Sequence, residues 1–214
     1  MKNNIKDTSD KARANILNRL KHADINKGGL IPERGRSADV FPVPENLLDT
    51  FIEEFEKVNG QVFVCNNDEE FTNHFESERV SKGWTNIICK DDELKVLLPE
   101  ESLLTDDSKM DDIGVGITAC EYLIARTGSI MISAAGLSGR LLNVFPPVHV
   151  VVAHENQLVA FLDDAIEKFS AKYSDNWPSQ ATIVTGPSRT ADIEKTLVMG
   201  AHGPKELILF VRKY

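Results

Sequence analysis

The stretch ENLLDTFIEEFEKVNGQVFVCNNDEEFTNHFESERVSKGWTNIIC, residues 45–89, alternates between helical and strand patterns. Residues 45–58 carry apolar side chains at helical spacing, and QVFVC at residues 61–65 is typical of a buried strand. A second helix is predicted over residues 67–83, and a second strand over TNIIC at residues 85–89. Helices that alternate with short apolar strands predict a parallel sheet covered by helices.

The second half of the chain continues this alternation. Strands are predicted at SIMISAA, VHVVVA, ATIVT and ELILFV, residues 129–135, 148–153, 181–185 and 206–211. A short helix capped by Thr118 is predicted over ITACEYLIARTG, residues 117–128, and a long helix over residues 155–173, with Leu162 and Ile166 among its inward side chains. The sequence therefore predicts an α/β fold, a single-domain open and mainly parallel sheet flanked by helices.

A helix is also predicted before this domain, over residues 8–21, with Ile16 and Leu17 on one apolar stripe. The segment that follows is rich in Gly, Pro and charge and has no period, which predicts an extended arm. We therefore divide the chain into an N-terminal helix and arm, residues 1–43, and an α/β domain, residues 44–214. Because an apolar stripe has to be covered, we expect the helix to pack across the domain or on another subunit of a homo-oligomer.

The composition excludes several classes of protein. The 214 residues carry a net charge of −9, which disfavours a nucleic-acid partner. The first twenty residues are charged throughout, and the longest apolar stretch is too short to span a bilayer, so neither a signal peptide nor a membrane segment is predicted. The cysteines Cys65, Cys89 and Cys120 are isolated, which favours a reducing cytoplasm and predicts no metal site and no iron–sulfur cluster in this chain.

GVGITA, residues 114–119, has the letters of a dinucleotide-binding loop. Such a loop needs a strand directly before it and an acidic residue about twenty positions later. The residues before Gly114 are KMDDI, and the later window is AAGLSGR, so neither requirement is met. We interpret Gly114 and Gly116 instead as positions where two chain segments cross closely.

Four residues near the predicted helix 117–128 are candidates for a site. Glu121 either complements the helix dipole or presents a carboxylate to a cleft at the strand ends, where it would be a catalytic candidate. Thr127, Gly128 and Ser129 form a turn whose hydroxyls and amides either hold an anion or only satisfy the turn itself.

Arg140 follows a flexible segment that contains Gly136 and Gly139. A guanidinium there can clamp a carboxylate or a phosphate through two parallel hydrogen bonds. The alternative, an ion pair with one of the many acidic side chains, is equally consistent with the sequence.

The segment TGPSRTADIEKTLVMGAHGPKEL, residues 185–207, predicts a loop that leads into a short helix. Gly186 makes the turn, and Ser188, Arg189 and Thr190 occupy the loop and the helix cap beyond the end of a strand, where ligands bind in open α/β sheets. His202 lies at the next turn, as a proton carrier or as a capping donor. The competing interpretation is that the segment only joins two strands.

Three blocks of this sequence, in this order and at this spacing, resemble the LUD domain family, and within it the lactate utilization protein C group. They are GITACEYLIARTGSIMI, SGRLLNVFPPVHVVV and TGPSRTADIEKTLVMGAHGPKELILFV, at residues 116–132, 138–152 and 185–211. The resemblance is close over about the last hundred residues. One position departs from the family's usual pattern, because Arg126 stands where an acidic residue is usual.

The resemblance implies a fold of the broad group that contains ribose-5-phosphate isomerase, CoA transferases and 5-formyltetrahydrofolate cyclo-ligase. It also implies a role in the oxidation of L-lactate to pyruvate, alongside partner proteins that carry iron–sulfur clusters. Two other hypotheses stay open at this point. One is a stand-alone enzyme of the CoA-transferase-like fold that acts on a phosphorylated or carboxylated metabolite, and the other is a scaffold protein whose cleft no longer binds anything.

Overall fold

The structure, a computed structural model, describes residues 2–21, 35–100, 103–104, 112–136, 138, 140–190, 198–200 and 203–214. Its α-helices are α1 (Lys2–Lys21), α2 (Leu47–Lys57), α3 (Asp68–Lys82), α4 (Asp92–Lys95) and α5 (Leu162–Lys172). The chain divides into two compact units, Met1–Arg36 and Ser37–Tyr214. The predicted arm lies mostly outside the described residues, and its packing on another subunit stays a prediction.

Capping residues fix the ends of the first two helices of the larger unit. The Asn46 side chain accepts hydrogen bonds from the backbone amides that begin α2, and Asn67 does the same for α3. Gly83 ends α3 in the left-handed conformation, with φ 64°. Both helices therefore begin and end close to the predicted positions.

Five parallel strands form the central sheet, in the order β1-β11-β6-β3-β2. They are β1 (Gln61–Cys65), β2 (Ile87–Cys89), β3 (Val115–Ala119), β6 (Val148–His154) and β11 (Glu206–Arg212). The predicted strands in this sheet are confirmed, and β3 is an addition to them.

A second, mixed sheet of four strands has the order β7-β4-β5-β8. Its strands are β4 (Tyr122–Ile124), β5 (Ser129–Ser133), β7 (Leu158–Val159) and β8 (Ala181–Val184). The strand β5 runs antiparallel to both β4 and β8. Two further short strands, β9 (Arg189–Thr190) and β10 (Val198–Met199), pair antiparallel with each other.

Apolar clusters cover both faces of the central sheet. On one face, Phe71 and Phe75 of α3 pack with Phe210 of β11. On the other face, Phe51 and Phe55 of α2 pack in one cluster with residues of the second sheet and of β6 and β11. A separate cluster places α5 on the second sheet. This layering confirms the predicted α/β fold with a mainly parallel sheet flanked by helices.

The predicted helix over residues 117–128 is wrong. The chain there completes β3, turns at Cys120 and Glu121, and enters β4 and a short 3-10 helix, Ala125–Thr127. Thr118 therefore lies within a strand and caps no helix. A short apolar run that is buried on both faces does not reveal its type by periodicity, and here the sheet partners decide it.

The predicted helix over residues 155–173 is too long. Residues Glu155–Gln157 form a 3-10 turn, β7 follows, and α5 begins only at Leu162. Because of this shift, Leu162 and Ile166, predicted to face inward, are 40% and 48% exposed. Ala165 and Phe169 carry the inner face instead.

The predicted helix after Thr190 is also contradicted where the structure describes it. Thr190 pairs with Val198, and Arg189 pairs with Met199, in the ladder between β9 and β10. Residues 191–197 lie outside the described residues. Arg189 and Thr190 therefore lie in a strand, and their role in anion binding stays a prediction.

The interpretation of the two glycines as crossing points is confirmed. A methyl group on Gly116 would stand 2.5 Å from the carbonyl oxygen of Leu142 and 2.8 Å from Pro146. A methyl group on Gly114 would collide with the carbonyl oxygen of Thr85. The central strand β3 therefore passes directly under the loop that leads into β6.

Candidate functional site

The predicted site residues fall at the two ends of the second sheet. The turn Thr127–Ser129 begins β5 and lies beside the end of β8, because Ile130 pairs with Val184. Ser133 ends β5 and pairs with Ala181, at the beginning of β8. Since a strand rises about 3.3 Å per residue, the two ends of β5 are about 13 Å apart. The candidate residues therefore lie in two groups, one at each end of β5.

At the first end, three hydroxyl groups bond to one another. The Ser129 Oγ lies 2.8 Å from the Thr127 Oγ1 and 2.8 Å from the Thr185 Oγ1. Gly128 and Gly186 are buried with φ 56° and 79°, and each lies against α2 or the residue after it, Val58. These observations favour the interpretation in which the turn satisfies itself, and the anion-binding role stays a prediction.

Ser188, Arg189 and Thr190 continue from this first end. The Ser188 amide donates to the carbonyl of Pro204 (2.8 Å), and its own carbonyl accepts from the Gly200 amide (2.9 Å). The Arg189 side chain is exposed. The second catalytic candidate, His202, lies outside the described residues.

Arg126, the residue that departs from the family pattern, belongs to the same end of β5. Its guanidinium lies over the ring of Phe41, 4.7 Å from the ring centre, and its amide donates to the carbonyl of Ala160 (3.0 Å). The positive charge therefore holds the segment before α2 by a cation–π contact.

At the second end, Glu121 is the centre of a hydrogen-bonded cluster. Its Oε1 accepts from the Ser133 hydroxyl (2.5 Å) and from the Tyr173 hydroxyl (2.8 Å), and its Oε2 accepts from the Lys172 ammonium (2.8 Å). Glu121 is 8% exposed, whereas the Lys172 side chain is 54% exposed. The cluster links the turn after β3 to the end of β5 and to the last turn of α5.

The surroundings of Glu121 keep it ionised. Burial by itself would raise its pKa, but the hydrogen bonds from Lys172, Ser133 and Tyr173 outweigh burial and hold the pKa below the usual 4.5. The same contacts raise the pKa of Lys172, although burial opposes this shift. An ionised carboxylate with three donors is a poor general acid, so the cluster acts as a tie between elements.

Arg140 lies at the same end, in a narrow crevice beside Ser133. The crevice contains about 160 Å³ of empty space, and its polar lining residues are Ser133, Arg140, Asn143, Gln180 and Thr182. Arg140 is exposed, and it has no ion-pair partner among the described residues. The alternative interpretation, in which Arg140 forms an ion pair with an acidic side chain, is therefore not seen among the described residues.

The sequence interpretation missed most of the partners at this end. Ser133, Lys172 and Tyr173 meet Glu121 only through the fold, and Lys172 gave no signal beyond its place near a helix end. Elsewhere, His149 is fully buried, and its Nε2 lies 2.9 Å from the Thr118 Oγ1. This contact joins the neighbouring strands β6 and β3.

We expect Glu121→Ala to lower the free energy of unfolding by about 2 kcal/mol, because two hydroxyl groups lose their shared acceptor and the ion pair with the half-exposed Lys172 is broken. Glu56→Ala, at an exposed position in α2, is the control and should change stability by less than about 0.5 kcal/mol. Because the pKa of Glu121 is lowered by folding, its contribution is complete above pH 4.5 and is lost as the pH falls below that value. Urea denaturation at pH 7 and pH 4 measures the loss of stability and its dependence on pH. Equal stabilities of Glu121→Ala and Glu56→Ala would show that the Glu121 cluster does not stabilise the fold.

The described residues contain neither a metal-binding cluster nor a helix that could span a membrane. No group of three or more His, Cys, Asp or Glu side chains is placed there to hold a metal ion. In the same part of the chain, none of the helices has the length and apolar character that crossing a membrane requires.

The sequence pattern of the LUD domain matches residues 90–211, more than half of the chain. This protein is a member of the LUD domain family. The matched range contains both ends of the second sheet and all three blocks on which the resemblance was based.

Several curated relatives are similar to this chain. Over 99 residues it is 34% identical to the uncharacterized protein NMB1437 of Neisseria meningitidis serogroup B, covering 46% of this chain and 42% of that protein. It is 33% identical over 92 residues to lactate utilization protein C of Macrococcus caseolyticus, covering 42% and 40%. With lactate utilization protein C of Bacillus licheniformis it shares 26% identity over 160 residues, covering 74% and 65%. Each match spans less than two thirds of the relative's own length.

One solved structure has the same fold. The crystal structure of a DUF162 family protein from Deinococcus radiodurans superposes with a TM-score of 0.63 and 19% identity, covering 78% of this chain and 96% of that chain. At this identity the likeness concerns the fold alone.

Proposed function

We propose that this chain takes part in the use of L-lactate, as one subunit of a system that oxidises lactate to pyruvate. The observation that supports this most directly is the similarity to proteins named lactate utilization protein C in two different organisms. Membership of the LUD domain family, through the match over residues 90–211, agrees with this proposal. Within this system we propose that the chain binds a small carboxylate and works with partner proteins.

The positions of the cysteines support the proposal that iron–sulfur clusters belong to the partners. Cys65 and Cys89 end β1 and β2, the two outer strands of the central sheet. With strands spaced about 4.8 Å apart, these thiols lie roughly 19 Å from each other. Burial raises the pKa of both to about 11, and burial also raises that of Cys120, whereas a cluster is bound by thiolates.

The proposed function predicts a conditional growth defect. Deletion of the gene, in a strain with no second copy, should abolish or strongly slow growth on L-lactate as the only carbon source, because the oxidation to pyruvate would fail. Growth on glucose should be unchanged, and the wild-type gene on a plasmid should restore growth on lactate. Normal growth of the deletion strain on lactate would show that the role is wrong.

The partner proposal has its own measurement. A tagged chain expressed at native level in lactate-grown cells should co-purify with proteins that carry iron–sulfur clusters, visible by their absorbance and identified by mass spectrometry. The same purification from glucose-grown cells is the control. Recovery of the chain alone from both cultures would contradict a stable complex.

A further inference from the structure

We propose that the crevice between Arg140, Asn143 and Ser133 is the binding site for a 2-hydroxy carboxylate, with Arg140 holding the carboxylate and the Asn143 Oδ1 accepting a hydrogen bond from the hydroxyl group. The choice of L-lactate as the first probe rests on the proposed function, but the chemistry of the site comes from the side chains that line it. These residues lie at the second end of β5, away from the loop of Arg189 that the sequence had favoured.

Asn143 is the observation that points to a ligand. The residue is 7% exposed, and its Oδ1 is buried without a hydrogen-bond partner in the described structure. A buried amide oxygen that accepts no hydrogen bond destabilises the fold, and such groups are rare. A hydroxyl group in the crevice would donate to this oxygen, whereas an anion without a hydrogen-bond donor would leave it unsatisfied.

Arg140 supplies the charge that a carboxylate needs. It lines the same crevice, and its guanidinium can form the two parallel hydrogen bonds that carboxylates accept. The Glu121 carboxylate would disfavour an anion here, because it accepts a hydrogen bond from Ser133, which also lines the crevice. However, Lys172 neutralises Glu121 at 2.8 Å, and Glu121 does not line the crevice itself.

The size of the crevice determines how a ligand would enter. In its present form it is too narrow to admit a water-sized sphere. Gln180 is exposed at its edge, so an outward rotation of this side chain would widen the crevice while Arg140 stays in place. Such rotations of exposed side chains occur in nanoseconds and require no change in the sheet.

Calorimetry on the purified 214-residue chain tests the proposal, with L-lactate and propionate as probes. L-lactate should bind about tenfold more tightly than propionate, which lacks the hydroxyl. Arg140→Ala should weaken lactate binding by about tenfold to a hundredfold, the range of one charge-assisted contact. Arg126→Ala, an exposed arginine at the other end of β5, is the control and should leave binding unchanged.

The variant Asn143→Leu tests the contact with the ligand's hydroxyl group separately from the contact between Arg140 and the ligand's carboxylate. This variant should bind lactate and propionate equally, and it should be at least as heat-stable as the wild type, because an apolar side chain of similar shape removes the unpartnered oxygen. A merely structural role for Asn143 would not change the ratio of the two affinities.

Three results would overturn the proposal. One is no binding of lactate to the wild type, and another is equal binding of lactate and propionate. The third is loss of binding in Arg189→Ala with none in Arg140→Ala, which would place the site at the first end of β5. None of these results bears on growth, so a lactate growth defect without lactate binding would leave the proposed function standing and reject only this site.

Discussion

Gly128→Ala should lower the free energy of unfolding by about 3 kcal/mol or more, a large effect for a single methyl group. Gly128 has φ 56°, a conformation that costs an alanine roughly 1–2 kcal/mol. In addition, its methyl group would stand 2.5 Å from the carbonyl carbon of Glu54 and 2.7 Å from the Cα of Phe55. Overpacking against a backbone typically adds about 1–3 kcal/mol.

Gly83→Ala is the matched control for this prediction. Gly83 has a similar φ of 64°, but nothing lies within 4 Å of the position that its methyl group would take. Gly83→Ala should therefore lower the free energy of unfolding only through the left-handed backbone conformation, by about 1 kcal/mol. Urea denaturation of the two variants measures the difference, and equal losses of stability would mean that α2 does not press on the turn at Gly128.

The second large effect concerns pH and His149. Burial lowers the pKa of His149 from 6.5 to about 3, so the folded protein keeps this imidazole neutral in mild acid. The unfolded chain takes up a proton there below pH 6.5. The stability from the neutral histidine is therefore complete above pH 6.5 and falls by about 1.4 kcal/mol for each pH unit below it, or about 2 kcal/mol at pH 5.

His149→Gln should remove this slope between pH 6.5 and pH 5, whereas His74→Gln, at an exposed histidine of α3, should retain it. Urea denaturation at three pH values gives the slopes. A direct measurement on the wild type is the NMR titration of the His149 ring, which should stay neutral at pH 5. A ring that titrates near pH 6.5 would show the prediction to be wrong.

The elements that the sequence predicted well are those whose pattern depends on local spacing or on complete burial. The helix α2 lies within residues 45–58, whose apolar side chains recur at helical spacing. The strands β6 and β11 are continuous apolar runs, as expected for parallel strands with both faces covered. These features follow from the residues themselves, so they could be recognised without the fold.

The errors fall where partners distant in sequence decide the local structure. Residues 122–124 form the strand β4 because they pair with β5 on one side and with β7 on the other. The helix predicted to begin at Glu155 begins instead at Leu162, because Leu158 and Val159 form a strand that pairs with β4. A local pattern does not contain this information, since the same apolar spacing fits either structure.

The sequence by itself determined the family, the α/β class, the order of most elements and the residue types of the candidate site. Only the tertiary structure decided which of those residues meet. The antiparallel pairing of β5 with β8 places Thr127 and Ser133 at opposite ends of one strand, and thereby separates Arg189 from Arg140. The fold likewise brings Lys172 and Tyr173 to Glu121 across some fifty residues of chain. Contacts of this kind depend on how two sheets and a helix pack together, and that packing is a property of the whole chain.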